Sequence, residues 1–506
     1  MAPASAKTLI RGGRVLDLDG DLDQPAHADI LIDGARIEAV APTLSGPAVE
    51  GAQVIDATGR LVIPGLVNAH FHSYDVLARG LMEDLPLEQW GTLCAPLAVG
   101  RSLEELRART LLGAVDCLRN GSTTVQDMST LVPLREDYVD TVLDAYAEAG
   151  IRVIFSVSIR DLSQLDTIPW IAELVPADLR AIVGTARDDA APQVDFVARQ
   201  IDRIGDRGGM VRWALSPSAP QRCTPALLEA VGALARERGL PVYTHCYETR
   251  AQRVFARDRL PAFGGSAVRM LEAAGLLGPH VTIAHGVWPD ADEIAQIAAT
   301  GTNVVLNMLS NLKLKSGVAP LIDYHAHGVN LALGCDNSSC SDVQNLFEVM
   351  KLFCLMAAVS TPGPTPITAA AALRAATVGG ARTAGLEGTI GALKPGMKAD
   401  LVILDLADPA YVPFNSAVRQ LVFADAGRAV ETVMVDGRVV VRDRRMATLD
   451  EAGLRQLVER AMPTVRRDVA RSRADFAKVR PYLDEVQRRV WADPLALNRF
   501  VGAPRF

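Results

Sequence analysis

VIPGLVNAHFHS, from Val62 to Ser73, is the stretch on which the reading of this chain turns. An apolar run ends in two histidines one residue apart, in a sequence with only eight histidines. A strand turns successive side chains to opposite faces, so His70 and His72 would project together from one strand end. Two neutral imidazoles placed that way supply two donors to a metal ion. A pair of surface histidines produces the same short pattern, so the rest of the chain decides.

The 506 residues exceed one ordinary core, although a large α/β barrel absorbs about 250 residues by itself. Hydrophobic residues make up 49% and charged residues 22%, the texture of a soluble globular protein. A formal charge of −7 argues against nucleic acid or an anionic membrane as the main partner. The opening MAPASAKTLIRGG has no secretory apolar core, and no apolar stretch reaches the length of a membrane span. Seven scattered cysteines fit reduced thiols, so a cytoplasmic location is expected.

Outward from the quoted stretch, texture divides the chain. Residues 1–63 carry β-branched alternation with Asp33-Gly34 as a hairpin signal, and residues 386–449 repeat it with Asp436-Gly437. Neither block holds a core alone, so the two are expected to form one composite β sandwich. Between them, residues 64–385 alternate strand and helix. After RLVIPGLVNAH come apolar runs at 121–128, 151–159, 211–220, 240–246, 281–287, 302–308 and 329–336. Eight βα units predict a (β/α)8 barrel with its site at the strand C-termini. A doubly wound open sheet is the alternative, but the Gly-rich dinucleotide fingerprint is absent. Residues 450–506 turn charged and helical, and an amphipathic helix packed on the barrel or on a neighbouring subunit is expected.

The strand ends then share a theme. The first ends in His70 and His72, the fifth in His245, the sixth in His285 and the eighth in Asp336. A lone histidine at a strand end is usually a satisfied rim residue. Four histidines and an aspartate on the face where barrels keep their chemistry are not. Glu248 follows His245 by three, where a carboxylate can face a reacting water without ligating a metal. Standing alone, it would read as a helix-start glutamate.

GLVNAHFHS, THCYET, IAHGVWPDADEI, SNLKLKSGVAP and LGCDNSSCSD, with the flanking GTIGALKPGMKADLVILD, resemble the amidohydrolase superfamily. The similarity is to the branch of triazine hydrolases and of cytosine, guanine and S-adenosylhomocysteine deaminases, and it covers roughly residues 8–445. Binuclear members carry a carboxylated lysine after strand four, where this chain reads WALSPSAPQRC. The resemblance therefore implies one divalent metal, Zn²⁺ or else Fe²⁺, on His70, His72, His245 and Asp336. It implies catalytic roles for Glu248 as proton shuttle, for His285 as a base that either backs the metal ligands or faces the substrate, and for Asp336 as acceptor of the water proton. Such an ion lowers the pKa of its bound water to about 7. The implied reaction is hydrolytic displacement at an electron-poor ring carbon, most often loss of ammonia.

A deaminase of an amino-substituted nitrogen heterocycle is the first reading. Loss of an alkylamine or halide from a triazine-like ring, or cyclic amide hydrolysis, keeps the fold and changes the leaving group. Asn337 and Cys340 after the aspartate resemble what some triazine-dehalogenating relatives carry. A metal-free interaction scaffold is the third reading, and the intact donor set argues against it. The partner is then a small molecule, with a homodimer or homotetramer expected. Trp90, Trp213 and Trp288 could stack on a ring, and Asn311 and Asn337 could read ring heteroatoms, although tryptophans near a barrel mouth are more often packing.

Overall fold

A computed structural model describes residues 7–184 and 186–500. Its centre is the expected barrel. The strands are β1 (Leu66–His72), β2 (Ser122–Ser129), β3 (Arg152–Ile159), β4 (Val211–Trp213, continued by Ser216–Pro217), β5 (Val242–Cys246), β6 (Val281–His285), β7 (Asn303–Leu306) and β8 (Leu331–Leu333, continued by Asp336–Asn337). All neighbouring pairs are parallel, in a register that sets His245 opposite Ala284 and Asp336 opposite Phe71. The Asp336–Asn337 segment returns to β1, and a bridge between Leu215 and Val242 joins β4 to β5. The ring of strands is thereby completed through a weak seam at β4 and a break in β8.

Local chemistry explains the helices between the strands. Thr224 caps Pro225–Arg238 by accepting from the Leu227 amide, with proline at the first helical position. Asp290 and Glu293 form a reciprocal capping box at Ala291–Thr300. Glycine matters at two close approaches. A Cβ on Gly65 would meet Thr123 Oγ1 at 2.1 Å, so only glycine lets the chain pass from the outer sheet into β1. A Cβ on Gly334 would lie 2.7 Å from His70 Cβ, which lets the eighth strand close on the first histidine.

Both chain ends build one nine-stranded sheet, as the matching texture predicted. Strand Arg60–Pro64 pairs antiparallel with Leu401–Asp405 from the far end, Val62 opposite Ile403. The sheet curls until both hairpin tips reach one segment. Ala399 donates to the Ala35 carbonyl, and Gly437 donates to the Ala399 carbonyl. Its interior holds Ile10, Ile30, Ile32, Ile37, Val62, Leu401, Ile403 and Met434.

The C-terminal segment is a 42-residue helix, Glu451–Ala492. Ala461, Val465, Val469, Ser472, Phe476, Val479, Leu483, Val486 and Val490 recur every three or four residues along its buried stripe. It lies on its own barrel, against Leu77, Leu87, Trp90, Leu93 and Leu97 from the long connection after β1. Its far end is fastened by Arg250, which donates to the carbonyls of Val490, Asp493, Leu495 and Leu497 and lies over the rings of Trp288 and Trp491. No described helix is long and apolar enough to cross a membrane.

Candidate metal centre and active site

Alternation along β1 sends His70 and His72 to the same side, and the parallel neighbours bring the other groups to them. His72 Nε2 lies 3.4 Å and His70 Nε2 3.5 Å from Asp336 Oδ1. His245 Nε2 lies 3.3 Å from His72 Nε2. The ligand atoms of His70, His245 and His285 lie within 4.8 Å of one another, as do those of His70, His72 and Asp336. His285 and Asp336 reach this point through left-handed backbone, φ 72° and 63°, an unusual conformation for either residue at a strand end.

The hydrogen bonds behind the rings fix which nitrogen faces inward. His72 Nδ1 donates to the Met128 carbonyl at 2.8 Å, and His245 Nδ1 to the Ser218 carbonyl at 2.6 Å. A ring that donates through Nδ1 turns the Nε2 lone pair inward when it ligates a metal, and the two Nε2 atoms lie 3.3 Å apart. Two lone pairs repel at that distance unless a cation lies between them. A tetrahedral ion with bonds of about 2.0–2.1 Å spaces its ligand nitrogens by about 3.3–3.4 Å. Among the described residues, neither ring nitrogen of His70 and not Asp336 Oδ1 has a hydrogen-bond partner, although all are buried. Such orphaned polar atoms are costly unless a ligand satisfies them. The donors fit a divalent metal.

Electrostatics point the same way. Burial, then the neighbouring imidazoles, push His70 and His245 well below their ordinary pKa, so both are neutral and ready to ligate. His285 is also lowered, chiefly by burial. Burial alone would raise Asp336, but the fields of His285 and His72 hold it below its ordinary value. Glu248 goes the other way. It sits in the loop before helix Arg250–Arg259, buried, with Oε2 3.6 Å from His285 Nε2. Burial first and the Asp336 charge second raise its carboxyl well above the ordinary carboxylate range.

The surrounding polar residues hold this geometry. Asp75 accepts from the amides of Ser338 at 3.1 Å and Ser339 at 2.9 Å, fixing the turn after Asp336. Asp127 accepts from the Ser73 amide and hydroxyl and from Tyr146, fixing the turn after His72. Asn68 bridges Gln344 and the Cys335 amide, while Gln344 donates to the Asp336 carbonyl. Sequence reading passed over all four. A carboxylate inside TTVQDM and another three residues after His72 were the available signals.

A cavity of about 1100 Å³ opens over the cluster, and His72, His245, Glu248, His285 and Asp336 form its floor. Trp90 lines it and donates its indole N–H to Ser339 Oγ at 2.9 Å. Asn337 also lines it, with a buried Nδ2 that has no partner among the described residues. Asn311 does not face the cavity: its Oδ1 lies 2.8 Å from His285 Nδ1, so it orients the imidazole instead of reading a ring. Trp288 is fully buried, its indole N–H on the Ser316 carbonyl, and Trp213 packs on Phe155. Both are packing. The C-terminal helix supplies wall residues Asp468, Arg471, Ser472 and Asp475, a contribution the sequence reading did not assign to it.

Comparison with known proteins agrees with this geometry. Residues 61–440 match the model of the amidohydrolase family. The chain is 34% identical over 454 residues to a 5'-deoxyadenosine deaminase of Methanothermobacter thermautotrophicus, covering 90% of this chain and 97% of that one. It is 34% identical over 439 residues to a 5-methylthioadenosine/S-adenosylhomocysteine deaminase of Thermococcus onnurineus, covering 87% and 95%. A zinc-bound adenosine deaminase structure from Xanthomonas campestris superposes with a TM-score of 0.78 at 26% identity, over 92% of this chain and 99% of that one. A zinc complex of atrazine chlorohydrolase from Arthrobacter aurescens gives 0.77 at 26%, over 93% and 100%. With its barrel, its curled β domain and its converging histidines, the chain belongs to the amidohydrolase family, as a hydrolase of carbon–nitrogen bonds other than peptide bonds.

Proposed function

We propose that this protein removes the exocyclic amino group of an adenine-type heterocycle by hydrolysis, using one zinc ion held by His70, His72, His245 and Asp336. The observation that carries the reading is the separation of roles on the cavity floor. Four orphaned or inward-facing donors converge on one point, while Glu248 stands outside that group with its carboxyl raised by burial. Relatives named as deaminases of 5'-deoxyadenosine and of 5-methylthioadenosine or S-adenosylhomocysteine support the adenine ring, and zinc in two structural neighbours supports that ion over iron. Seven buried, unpaired cysteines support a reducing cytoplasm.

When bound, the ion supplies the Lewis acidity that lets water lose a proton near neutral pH. Asp336, whose pKa the fields of His285 and His72 hold below its ordinary value, would accept that proton. Glu248 holds a proton at its carboxyl and delivers it to the ring nitrogen beside the reacting carbon. The carboxylate left behind would then take the proton of the added hydroxyl and hand it to the departing amine as the C–N bond breaks, leaving a ring carbonyl, and the proton held on Asp336 would restore Glu248. His285, its Nδ1 committed to Asn311 Oδ1, presents Nε2 as an acceptor that orients the attacking water. Trp90 offers an apolar face to the ring from the cavity wall.

Ammonia release from 5'-deoxyadenosine, 5'-methylthioadenosine and S-adenosylhomocysteine by zinc-loaded protein tests this. Turnover of at least one, abolished by chelation and restored by zinc, is expected. Inertness toward all three, with chloride released from atrazine, would move the chemistry to the chlorohydrolase side of the neighbourhood.

A further inference from the structure

The cavity carries a charge that the deamination chemistry does not use. Arg160 follows β3 by one residue, and Arg222 lies in the turn after β4. Their backbones are tied together: the amides of Asp161 and Leu162 both donate to the Arg222 carbonyl, at 3.3 and 3.2 Å. Both side chains line the cavity that holds the metal centre, and both are half-buried.

Neither guanidinium has an ion-pair partner among the described residues. Arg222 Nη1 makes one long contact, 3.4 Å to Ser218 Oγ, and the Arg160 guanidinium has no hydrogen bond. The adjacent carboxylate, Asp161, is already engaged, accepting from the Thr224 amide at 2.8 Å and its hydroxyl at 2.5 Å. Farther out, Asp468 is held by Arg101 at 2.8 Å, and Asp188 and Asp189 line the cavity beyond ion-pair distance of both arginines. Arg152 and Arg253, also enclosed, are paired, with Asp400 and with Glu293. Two neighbouring cations half-buried in one cavity, with no described carboxylate within ion-pair distance of either, are costly in a protein unless a ligand completes them. Burial, then the charge of Arg222, pulls Arg160 below its ordinary pKa, so the two repel each other at close range. The charge of Arg222 also reaches Glu248 and His285, placing it beside the reacting centre.

We propose that Arg160 and Arg222 form an anion subsite, so that the substrate is an amino-heterocycle bearing a carboxylate within a few bonds of the ring. Paired guanidinium forks match the two oxygens of a carboxylate. The proposal rests on the deaminase reading for the ring, whereas the anion follows from the arginines alone.

The test compares adenosine with its 5'-carboxylic acid, two probes with the same purine and a different charge. Calorimetry on the zinc-loaded Glu248→Gln protein gives affinity without turnover, and ammonia release by the wild type gives rate. At low salt the carboxylate should bind about 10- to 100-fold tighter than adenosine. Arg160→Met or Arg222→Met should shrink that gap to within about threefold by weakening binding of the carboxylate. Arg160→Lys, keeping charge but not the fork, should fall between. If a methionine variant fails to fold, the wild-type gap must still collapse from low to high salt, because solvent-accessible ion pairing is screened. Equal, weaker or undetectable binding of the carboxylate, or a gap that survives both methionine variants or high salt, overturns the subsite. The two readings fail separately. An arginine-dependent preference without ammonia release keeps the anion subsite and removes the deaminase, and the reverse result does the opposite.

Discussion

Replacing Glu248 with glutamine separates proton transfer from metal binding. The amide has nearly the same shape as a carboxylic acid, and burial already favours the protonated, uncharged carboxyl. The variant therefore resembles the wild-type folded state in charge as well as shape, and its thermal midpoint should move little. Metal content should also hold, because Glu248 belongs to neither group of converging ligand atoms. What is lost is a transferable proton. Removing one general acid-base group costs about 10²–10⁴-fold in rate, or about 2.7–5.4 kcal/mol of barrier at about 1.36 kcal/mol per decade. Ammonia release by metal-replete protein measures this directly. Near-normal turnover would return Glu248 to a helix-start carboxylate and leave His285 or Asp336 to carry the protons.

The same substitution carries a pH signature in the metal-free protein. The Glu248 carboxyl in the unfolded chain ionises around its ordinary value of 4.5, whereas the folded state keeps the proton to higher pH. Between those two points the folded state binds more protons than the unfolded one, so wild-type stability falls as pH rises. The difference between wild type and Glu248→Gln should be smallest below 4.5 and should turn increasingly in favour of the variant above it, levelling off at the raised pKa. Denaturant melts across that range check the sign. A wild type that gains on the variant as pH rises would show that the folded protein favours the ionised carboxylate.

The remaining expectations follow from single contacts. His70→Ala or His245→Ala should abolish both metal and activity, and elemental analysis of the wild type should return one ion per chain. Zinc at about 100 times its dissociation constant should stabilise the apoprotein by about 2.7 kcal/mol in a thermal melt, since the site is assembled only in the fold. Asp75→Ala leaves the buried amides of Ser338 and Ser339 without an acceptor, at about 1–3 kcal/mol each. A loss of rate with the metal still bound would mark Asp75 as a positioning residue for the Asp336 turn. A chain cut to residues 64–385 loses Leu401–Asp405, the partner of Arg60–Pro64, together with the whole C-terminal helix. It should aggregate in gel filtration, and a soluble, fully active fragment would refute the composite architecture.

Periodicity made most of the fold legible. The eight apolar runs are strong local signals, and the barrel follows from their alternation with helices. The pairing of the two chain ends was readable because neither block could bury a core alone, and the Val62–Ile403 register realises it. Less visible was the interruption at Gly334-Cys335, where the eighth strand breaks before Asp336. That break depends on how closely the backbone must approach His70, a tertiary constraint with no local pattern. The tryptophans show the same limit. Nothing near Trp288 in the sequence announces that Arg250 and Trp491, the latter about two hundred residues further on, enclose it.

The site was legible for a different reason. Metal donors are few in type, and a barrel places every strand end on one rim, so His70, His72, His245, His285 and Asp336 could be collected from strand positions alone. Residues that act through others carry no such signature. Asn311 stands in SNLKLKSGVAP, where an exposed amide beside the cavity and an amide behind His285 look alike until the ring nitrogen is located. The C-terminal helix is the plainest case. Its charge pattern reads as a solvated face, yet its apolar stripe buries Trp90 and the connection after β1, and its polar residues form part of the cavity wall. An extension expected only to pack on the barrel or on a neighbouring subunit therefore also lines the cavity. Barrel strands gather the reacting groups, and this helix, with Arg160 and Arg222 lining the same cavity, shapes the space that a substrate must enter.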